Sequence, residues 1–420
     1  MDETRLVVQP PKTRPGFFYG YIIVGLCFLI MMASFGLYDS YGIFVKPLAN
    51  AFNWTRATTS AAYSLSFIVF GFVGIILGGL TDRFGPRVVL TACGLFLGLG
   101  YILMSQLSSL WQLYLFYGII IGVGMSALYA PVLSLIARWF AQRRGLMTGI
   151  VLSGLGIGQL VAPPLISRLV SVYDWRLSYI FIGIIVLVIV VLATQFLKRD
   201  PSRIGQSPYG EQTVDFQAST SVPPAYSLRE ASRTKQFWIL VGMKLCYGYY
   251  MFSIVVHIIP HATDLGISSV NAANVLAIHG AAMVVASFLL GRAGDKIGPR
   301  QIFIICFTIA LASSLWLIQA KELWALYVFA VFMGLANGGN VTSDSPMAAR
   351  LFGLSSIGSI VGVSSCAFSI GVALGPTITG YIFDATGSYQ IAFITCAAVS
   401  AAGIVLSTIQ RPTKKLQQKI

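Results

Sequence analysis

Long apolar runs broken by short polar punctuation dominate the chain. Runs long enough to cross about 30 Å of hydrocarbon as helices fall near 19–41, 58–80, 87–106, 111–136, 145–167, 176–197, 236–259, 270–291, 300–319, 323–346, 354–382 and 388–409. The pattern predicts an all-α membrane protein with twelve transmembrane helices, six in each half. One long polar stretch interrupts it. From Lys198 to Lys235, Pro201, Pro208, Pro223 and Pro224 stand among Gly, Ser and Thr, which predicts a flexible linker. The expected organisation is a cytoplasmic tail over 1–18, a six-helix bundle over 19–197, the linker over 198–235, a second bundle over 236–409 and a cytoplasmic tail over 410–420. The first span lies behind a charged, Pro-bearing segment and lacks a small-residue cleavage site, so it is expected to be retained.

The two halves repeat each other. Gly78-Gly79-Leu-Thr-Asp82-Arg83-Phe-Gly85-Pro86-Arg87 returns as Gly291-Arg-Ala-Gly294-Asp295-Lys296-Ile-Gly298-Pro299-Arg300. The same spacing of 213 residues carries Gly158 onto Gly371, Pro163 onto Pro376 and Asp174 onto Gly387. A duplicated bundle with pseudo-symmetric halves follows.

Composition agrees, with 56% hydrophobic and only 10% charged residues and a mean hydropathy of +0.79. The net charge of +14 is a topology signal. With the N-terminus inside, 22 Lys and Arg residues fall on the cytoplasmic segments and 5 on the outer ones, predicting a multi-pass protein of the cell (inner) membrane with both termini cytoplasmic. The basic residues are dispersed over short loops, so no nucleic-acid partner is implied. All six cysteines lie in apolar spans, where a thiol packs as a small hydrophobe.

The two glycine-rich loops combine an acid with a base, Asp82 with Arg83 and Asp295 with Lys296. Glycine permits a tight turn and close helix approach. The acids can face helix N-termini or basic groups of the opposite bundle, contacts that break and re-form if the halves rock. The loops then act as gates; the alternative is that they only cap helices. The chain shows no nucleophilic triad, phosphate-binding loop or metal-ligand spacing, so neither an enzyme nor a cofactor is expected.

Both copies of this loop resemble the conserved loop of the major facilitator superfamily. A narrower resemblance is carried by Ala137-Arg138-Trp139-Phe140-Ala-Gln-Arg143-Arg144-Gly145-Leu146 running into Ser153-Gly154-Leu-Gly156-Ile-Gly158, and more weakly by Phe17-Phe18-Tyr19-Gly20-Tyr21. These are similar to the monocarboxylate transporters and the bacterial oxalate:formate carriers. The resemblance implies transport of a small organic solute by alternating access, from one central site between the bundles, driven by an ion or solute gradient.

Ionisable groups at membrane depth are costly and therefore candidates for that site. His279, nearest the midplane, is either an imidazole bonded between packed helices or a contact for solute or proton. Asp39, placed near the outer end of the first span, is either a protonation site or an aspartate reaching solvent. His257, near the outer end of the seventh, is a second proton-coupling candidate. Lys244 can attract an anion, pair with a carboxylate or snorkel to the cytoplasmic face. Tyr129 matches a substrate-facing tyrosine of the oxalate group. Asn337 and Asn340 place amides at depth, for solute or for a neighbouring helix. Asp344, near a helix end, is expected to pair with Arg350 or another loop base and to serve the gate.

The resemblance also predicts basic residues that are missing. The eighth-helix arginine that clamps a carboxylate in these relatives falls here on Ser287, a first-helix lysine on Asp39, and an eleventh-helix lysine near Ser365. A monocarboxylate such as lactate or pyruvate would then meet Lys244, His279, hydroxyls and amides, or cross with a proton. A neutral, zwitterionic or amine-bearing solute would instead favour Asp39 and the aromatic residues. Proton-coupled symport of a monocarboxylate is the leading expectation, and a carrier or efflux antiporter for the other solutes is the alternative. Each chain carries its own bundle pair, so a monomer in the lipid bilayer is expected.

Overall fold

The computed structural model describes residues 18–140, 142–210, 226–353 and 357–411; the side chains of Asp82, Arg144, Arg203, Asp295 and residues 357–359 lie outside that description. Twelve helices are long and apolar enough to cross a membrane: α1 Gly20–Phe52, α2 Arg56–Thr81, α3 Pro86–Met104, α4 Leu110–Trp139, α5 Gly145–Tyr173, α6 Trp175–Gln195, α7 Lys235–Asp264, α8 Ser269–Gly294, α9 Pro299–Gln319, α10 Leu323–Phe352, α11 Ile360–Thr386 and α12 Gln390–Ile409. Among the described residues the one extended pairing is an isolated bridge between Phe140 and Tyr209. Large apolar side chains such as Phe72, Ile75, Val88, Leu192 and Leu289 stay exposed on the outside, as helices bathed in lipid require.

The repeated loop has a direct structural cause. The α2 helix continues to Phe84 and stops at Gly85, whose φ of 85° lies in the left-handed region. Its N–H bonds back to the Thr81 carbonyl at 2.9 Å. Pro86 then opens α3, where its missing N–H costs nothing. The second copy does the same: Gly298 has φ 93°, bonds to the Gly294 carbonyl at 2.9 Å, and hands over to Pro299 at the start of α9. The other repeat marker also holds, since Asp174 and Gly387 both have positive φ, 77° and 69°.

The helices pack in two matching sets. In the first half α1 lies on α5, α3 on α6 and α2 on α4; in the second α7 lies on α11, α9 on α12 and α8 on α10. The halves meet along α5 with α8 and along α2 with α11, a pair of contacts exchanged by the pseudo-two-fold. Glycine makes the first approach possible. A Cβ at Gly156 would sit 2.7 Å from the Gly280 carbonyl oxygen, and one at Gly280 would sit 2.7 Å from the Gln159 Cβ.

Two sequence expectations are corrected. The first span does not end near residue 41: after a turn at Ser40 and Tyr41 the chain resumes as a helix from Gly42 to Phe52. Tyr41 and Phe44 are buried there, so packing carries the helix past polar residues that read as its end. Nor is the linker uniformly flexible. Its start runs through a short 3-10 helix at Pro201–Ile204 and docks on the first half, the Tyr209 N–H bonding the Trp139 carbonyl at 2.9 Å. Its end docks on the second half through the Tyr226 N–H and the Phe352 carbonyl at 2.9 Å. Residues 211–225, with Pro223 and Pro224, lie outside the described residues.

Candidate functional site

Where α5 meets α8, a polar chain crosses from one half to the other. The Gln159 amide nitrogen donates to Asp39 Oδ2 at 2.5 Å, and its oxygen meets His279 Nδ1 at 3.0 Å. Tyr63 donates to Asp39 Oδ1 at 3.3 Å. Asp39, Gln159 and His279 are all buried. Asp39 lies midway along the span of α1, just before the turn at Ser40 and Tyr41, and its burial corrects the solvent-reaching alternative. Its surroundings are aromatic: Tyr38 stacks on Tyr63 at 4.9 Å and lies parallel to Tyr117 at 6.0 Å. Tyr38 also bonds Ser66, the repeat counterpart of His279, at 2.5 Å. No cation pairs with Asp39 among the described ion pairs.

A second cluster lies within the other half. Lys244 of α7 is buried and contacts Asp344 of α10 at 2.8 Å and Ser365 of α11 at 3.2 Å. Of the alternatives for Lys244 the structure has the carboxylate pair, and the expected partner of Asp344 is corrected. Lys244 does not snorkel, and Asp344 takes Lys244 as its partner instead of Arg350, which lies against the Gly298 turn. Asp344 keeps 32% of its side chain exposed. The amides above it bond neighbouring helices. Asn337 accepts from the Tyr247 hydroxyl and donates toward Met283 sulfur at 3.1 Å. Asn340 donates to the Tyr250 hydroxyl at 2.8 Å, while its own oxygen is buried without a partner. Tyr129 stands at a break in α4 with its ring edge-on to Phe35 at 6.2 Å. Ser287 is half-buried and turns its hydroxyl back onto the Met283 carbonyl at 2.8 Å.

At the face opposite the chain termini the two halves are tied shut. Arg56 at the start of α2 makes a forked contact with Asp264 at the end of α7, at 2.6 and 2.9 Å, and Lys46 joins the same carboxylate at 3.0 Å. Asp384 accepts from the N–H groups of Arg56 and Ala57 at 3.0 and 2.8 Å, a carboxylate at a helix N-terminus. His257 works in the same layer. Its Nε2 lies 2.9 Å from the Pro376 carbonyl and 3.2 Å from Ser60 Oγ, and its Nδ1 lies 3.1 Å from the Tyr389 hydroxyl. Both ring nitrogens are engaged, so the geometry gives His257 an interface role. Toward the termini Tyr129, Ser287, Asp344 and Ser365 retain partial exposure.

The signature around Arg138-Trp139-Phe140 builds a clasp instead of a binding site. Trp139 is buried and its indole N–H donates to the Lys198 carbonyl at 2.9 Å. Phe18 packs on Trp139 and Phe140 at 5.8 and 5.5 Å, and the Tyr19 hydroxyl donates to the Phe196 carbonyl at 2.9 Å. Of the expected gate residues, Arg83 and Lys296 are exposed at the termini face; the side chains of Asp82 and Asp295 fall outside the described ones. The residues sequence reasoning missed are Gln159, Arg56, Asp264 and Asp384. Gln159 directly follows Gly156-Ile157-Gly158, and an amide in an apolar span was the signal available.

The model of the Major Facilitator Superfamily matches residues 24–273 and 245–419. The chain belongs to that superfamily. It is a secondary transporter, not an enzyme. Within the superfamily it resembles the monocarboxylate transporter group: it is 27% identical to monocarboxylate transporter 13 of Rattus norvegicus, over 92% of this chain and 87% of that one. It is 25% identical to monocarboxylate transporter 12 of Homo sapiens, over 95% and 82%, and 25% identical to monocarboxylate transporter 2 of Homo sapiens, over 95% and 86%. Among solved structures, a bacterial homolog of the human lysosomal transporter Spinster in an inward-facing, occupied conformation superposes with a TM-score of 0.70 at 18% identity, covering 97% of this chain and 93% of that one.

Proposed function

We propose that this superfamily member is a proton-coupled symporter of a small monocarboxylate such as lactate or pyruvate, working as a monomer in the cell membrane with both termini cytoplasmic. The observation that carries the reading is Asp39: a buried carboxyl midway along α1, bonded to neutral groups and facing no cation among the described residues, is a group that can take up a proton. Its link through Gln159 to His279 joins that carboxyl to the opposite bundle, where rocking would be felt. The carboxylate class rests on the names of the relatives. The bundle limits of 19–197 and 236–409 are part of the same reading.

With the termini inside, the Arg56–Asp264–Asp384 layer is an outer gate and the chain is closed to the outside. Asp82 and Asp295 then belong to the inner gate: Asp82→Asn and Asp295→Asn are expected to slow uptake while leaving solute dissociation constants unchanged, and a large loss of binding in both would remove them from the gate.

Uptake of radiolabelled lactate, pyruvate, acetate, formate and oxalate into proteoliposomes, with and without an imposed proton gradient, tests the proposal. Gradient-driven accumulation of one acid is the expected result. A second reading is favoured by Lys244, whose charge is already met by Asp344. With that lysine engaged, a carboxylate held among tyrosine rings suits an amine-bearing solute. Transport of organic amines, with none of the five acids taken up, would establish it.

A further inference from the structure

The hydrogen-bond chain between the bundles has only one self-consistent polarity. A carboxylate oxygen can only accept, so Gln159 must present its NH2 to Asp39, as the 2.5 Å contact has it. The amide oxygen then faces His279 and can only accept, so His279 must donate from Nδ1 across the 3.0 Å contact. A neutral imidazole carries one ring proton. Nε2 is therefore a bare lone pair, and that atom is buried with no partner in the protein. A bare acceptor offers nothing to a carboxylate anion.

We infer that Gln159 is a positioning residue that converts protonation of Asp39 into a reversal of His279, turning its free nitrogen from acceptor to donor. The inference deepens the proton-coupled carboxylate reading and rests on it for its biological use. When Asp39 gains a proton on Oδ2, with Tyr63 still donating to Oδ1, its O–H donates to the Gln159 oxygen once the amide has rotated by half a turn. The amide NH2 then faces His279 and donates to Nδ1, which must be bare. The ring proton sits on Nε2, now a donor for one oxygen of the substrate carboxylate. The balance is one proton taken up by Asp39. The imidazole stays neutral, one proton leaving Nδ1 and one arriving at Nε2 by exchange with solvent. The titratable groups facing Asp39 are the hydroxyls of Tyr63 on α2, Tyr38 on α1, Tyr101 on α3 and Tyr247 on α7. His279 is in none of the described ion pairs, and its described hydrogen bond is to Gln159, so Gln159 carries the message.

The order of events matters for transport. The anion gains its donor only after the proton has arrived, so an empty Asp39 leaves the site without a matching partner. The close Gly156–Gly280 contact holds the amide and imidazole within bonding distance in this state; separation of α5 from α8 would break the link and release both.

The chain has three histidines, so the imidazole nitrogens of 15N-histidine-labelled full-length protein in lipid nanodiscs can be resolved by NMR, with His279→Gln marking the signals of His279. Over a pH titration without solute, His279 is expected to pass from the Nδ1–H to the Nε2–H form while remaining neutral. Asp39→Asn, whose amide donates as the protonated carboxyl would, is expected to hold the Nε2–H form throughout. Gln159→Leu is expected to lose the exchange and to raise the KM for the transported acid about tenfold, the scale of one lost hydrogen bond at a buried site. A single wild-type tautomer at every pH, or an exchange that survives in Gln159→Leu, overturns the inference. Tautomer exchange without proton-driven uptake of any acid would retain the Gln159 relay and sink the carboxylate reading; proton-driven uptake without exchange would do the reverse.

Discussion

At the scale of single residues, the buried charge of Lys244 is met by partners. Lys244 has Asp344 and Ser365 at 2.8 and 3.2 Å. Removing one member leaves the other poorly solvated. Lys244→Gln should therefore lower stability, by less than the ~3–5 kcal/mol of a fully buried pair because Asp344 is partly exposed, and Lys244→Gln with Asp344→Asn should recover most of the loss; thermal unfolding in detergent would read both. Asp39 is different, having only neutral partners. Asp39→Asn removes the carboxyl from the central chain, so accumulation driven by a proton gradient should fall to simple equilibration while exchange of solute across the membrane persists. Driven accumulation at the wild-type level would take proton coupling away from Asp39.

At the scale of elements, contact between α5 and α8 depends on the absence of side chains. Gly280→Leu places atoms where the α5 backbone now lies. It should force the two helices apart, seen as loss of cross-linking between cysteines placed on α5 and α8, with the protein still folded. What was legible here follows from physical range. The Gly85-Pro86 and Gly298-Pro299 pairs specify their own turns, because φ and a missing N–H are local properties, and the repeat exposed them. The length of α1 was not legible: Ser40, Lys46 and Pro47 read as a helix end, and only burial of Tyr41, Phe44 and Leu48 against other helices continues it. Linker order was hidden for the same reason, since Tyr209 and Tyr226 find their partners across long sequence distances. Candidate ionisable residues could be picked out by type. Their partners could not: Lys244 with Asp344 and Asp39 with Gln159 are tertiary facts, and Gln159 carries no charge to draw attention to it.

At the scale of the whole molecule, the described ion pairs between the halves all lie at one face. Arg56 is the hub of the tied face, bonded to Asp264, its backbone N–H to Asp384, and its guanidinium 3.7 Å above the Phe383 ring. Arg56→Gln should increase labelling, by a membrane-impermeant thiol reagent, of a cysteine placed at Ser60 beneath that layer. Unchanged labelling would mean that other contacts hold the face closed. The two main contacts between the halves, α5 with α8 and α2 with α11, both include a glycine laid against backbone, Gly156 with Gly280 in the first and Gly380 against Ala57 in the second. Along α5 and α8 the closest approach, at Gly156 and Gly280, is largely backbone against backbone, with the Val284 side chain and the Gln159–His279 pair beside it. Such a surface behaves as a low-friction bearing: turning about it costs little repacking. Turnover speed would then be governed by the ionic layer at the tied face, and cooling should slow the transporter through the breaking of those bonds more than through sluggish side chains in its middle.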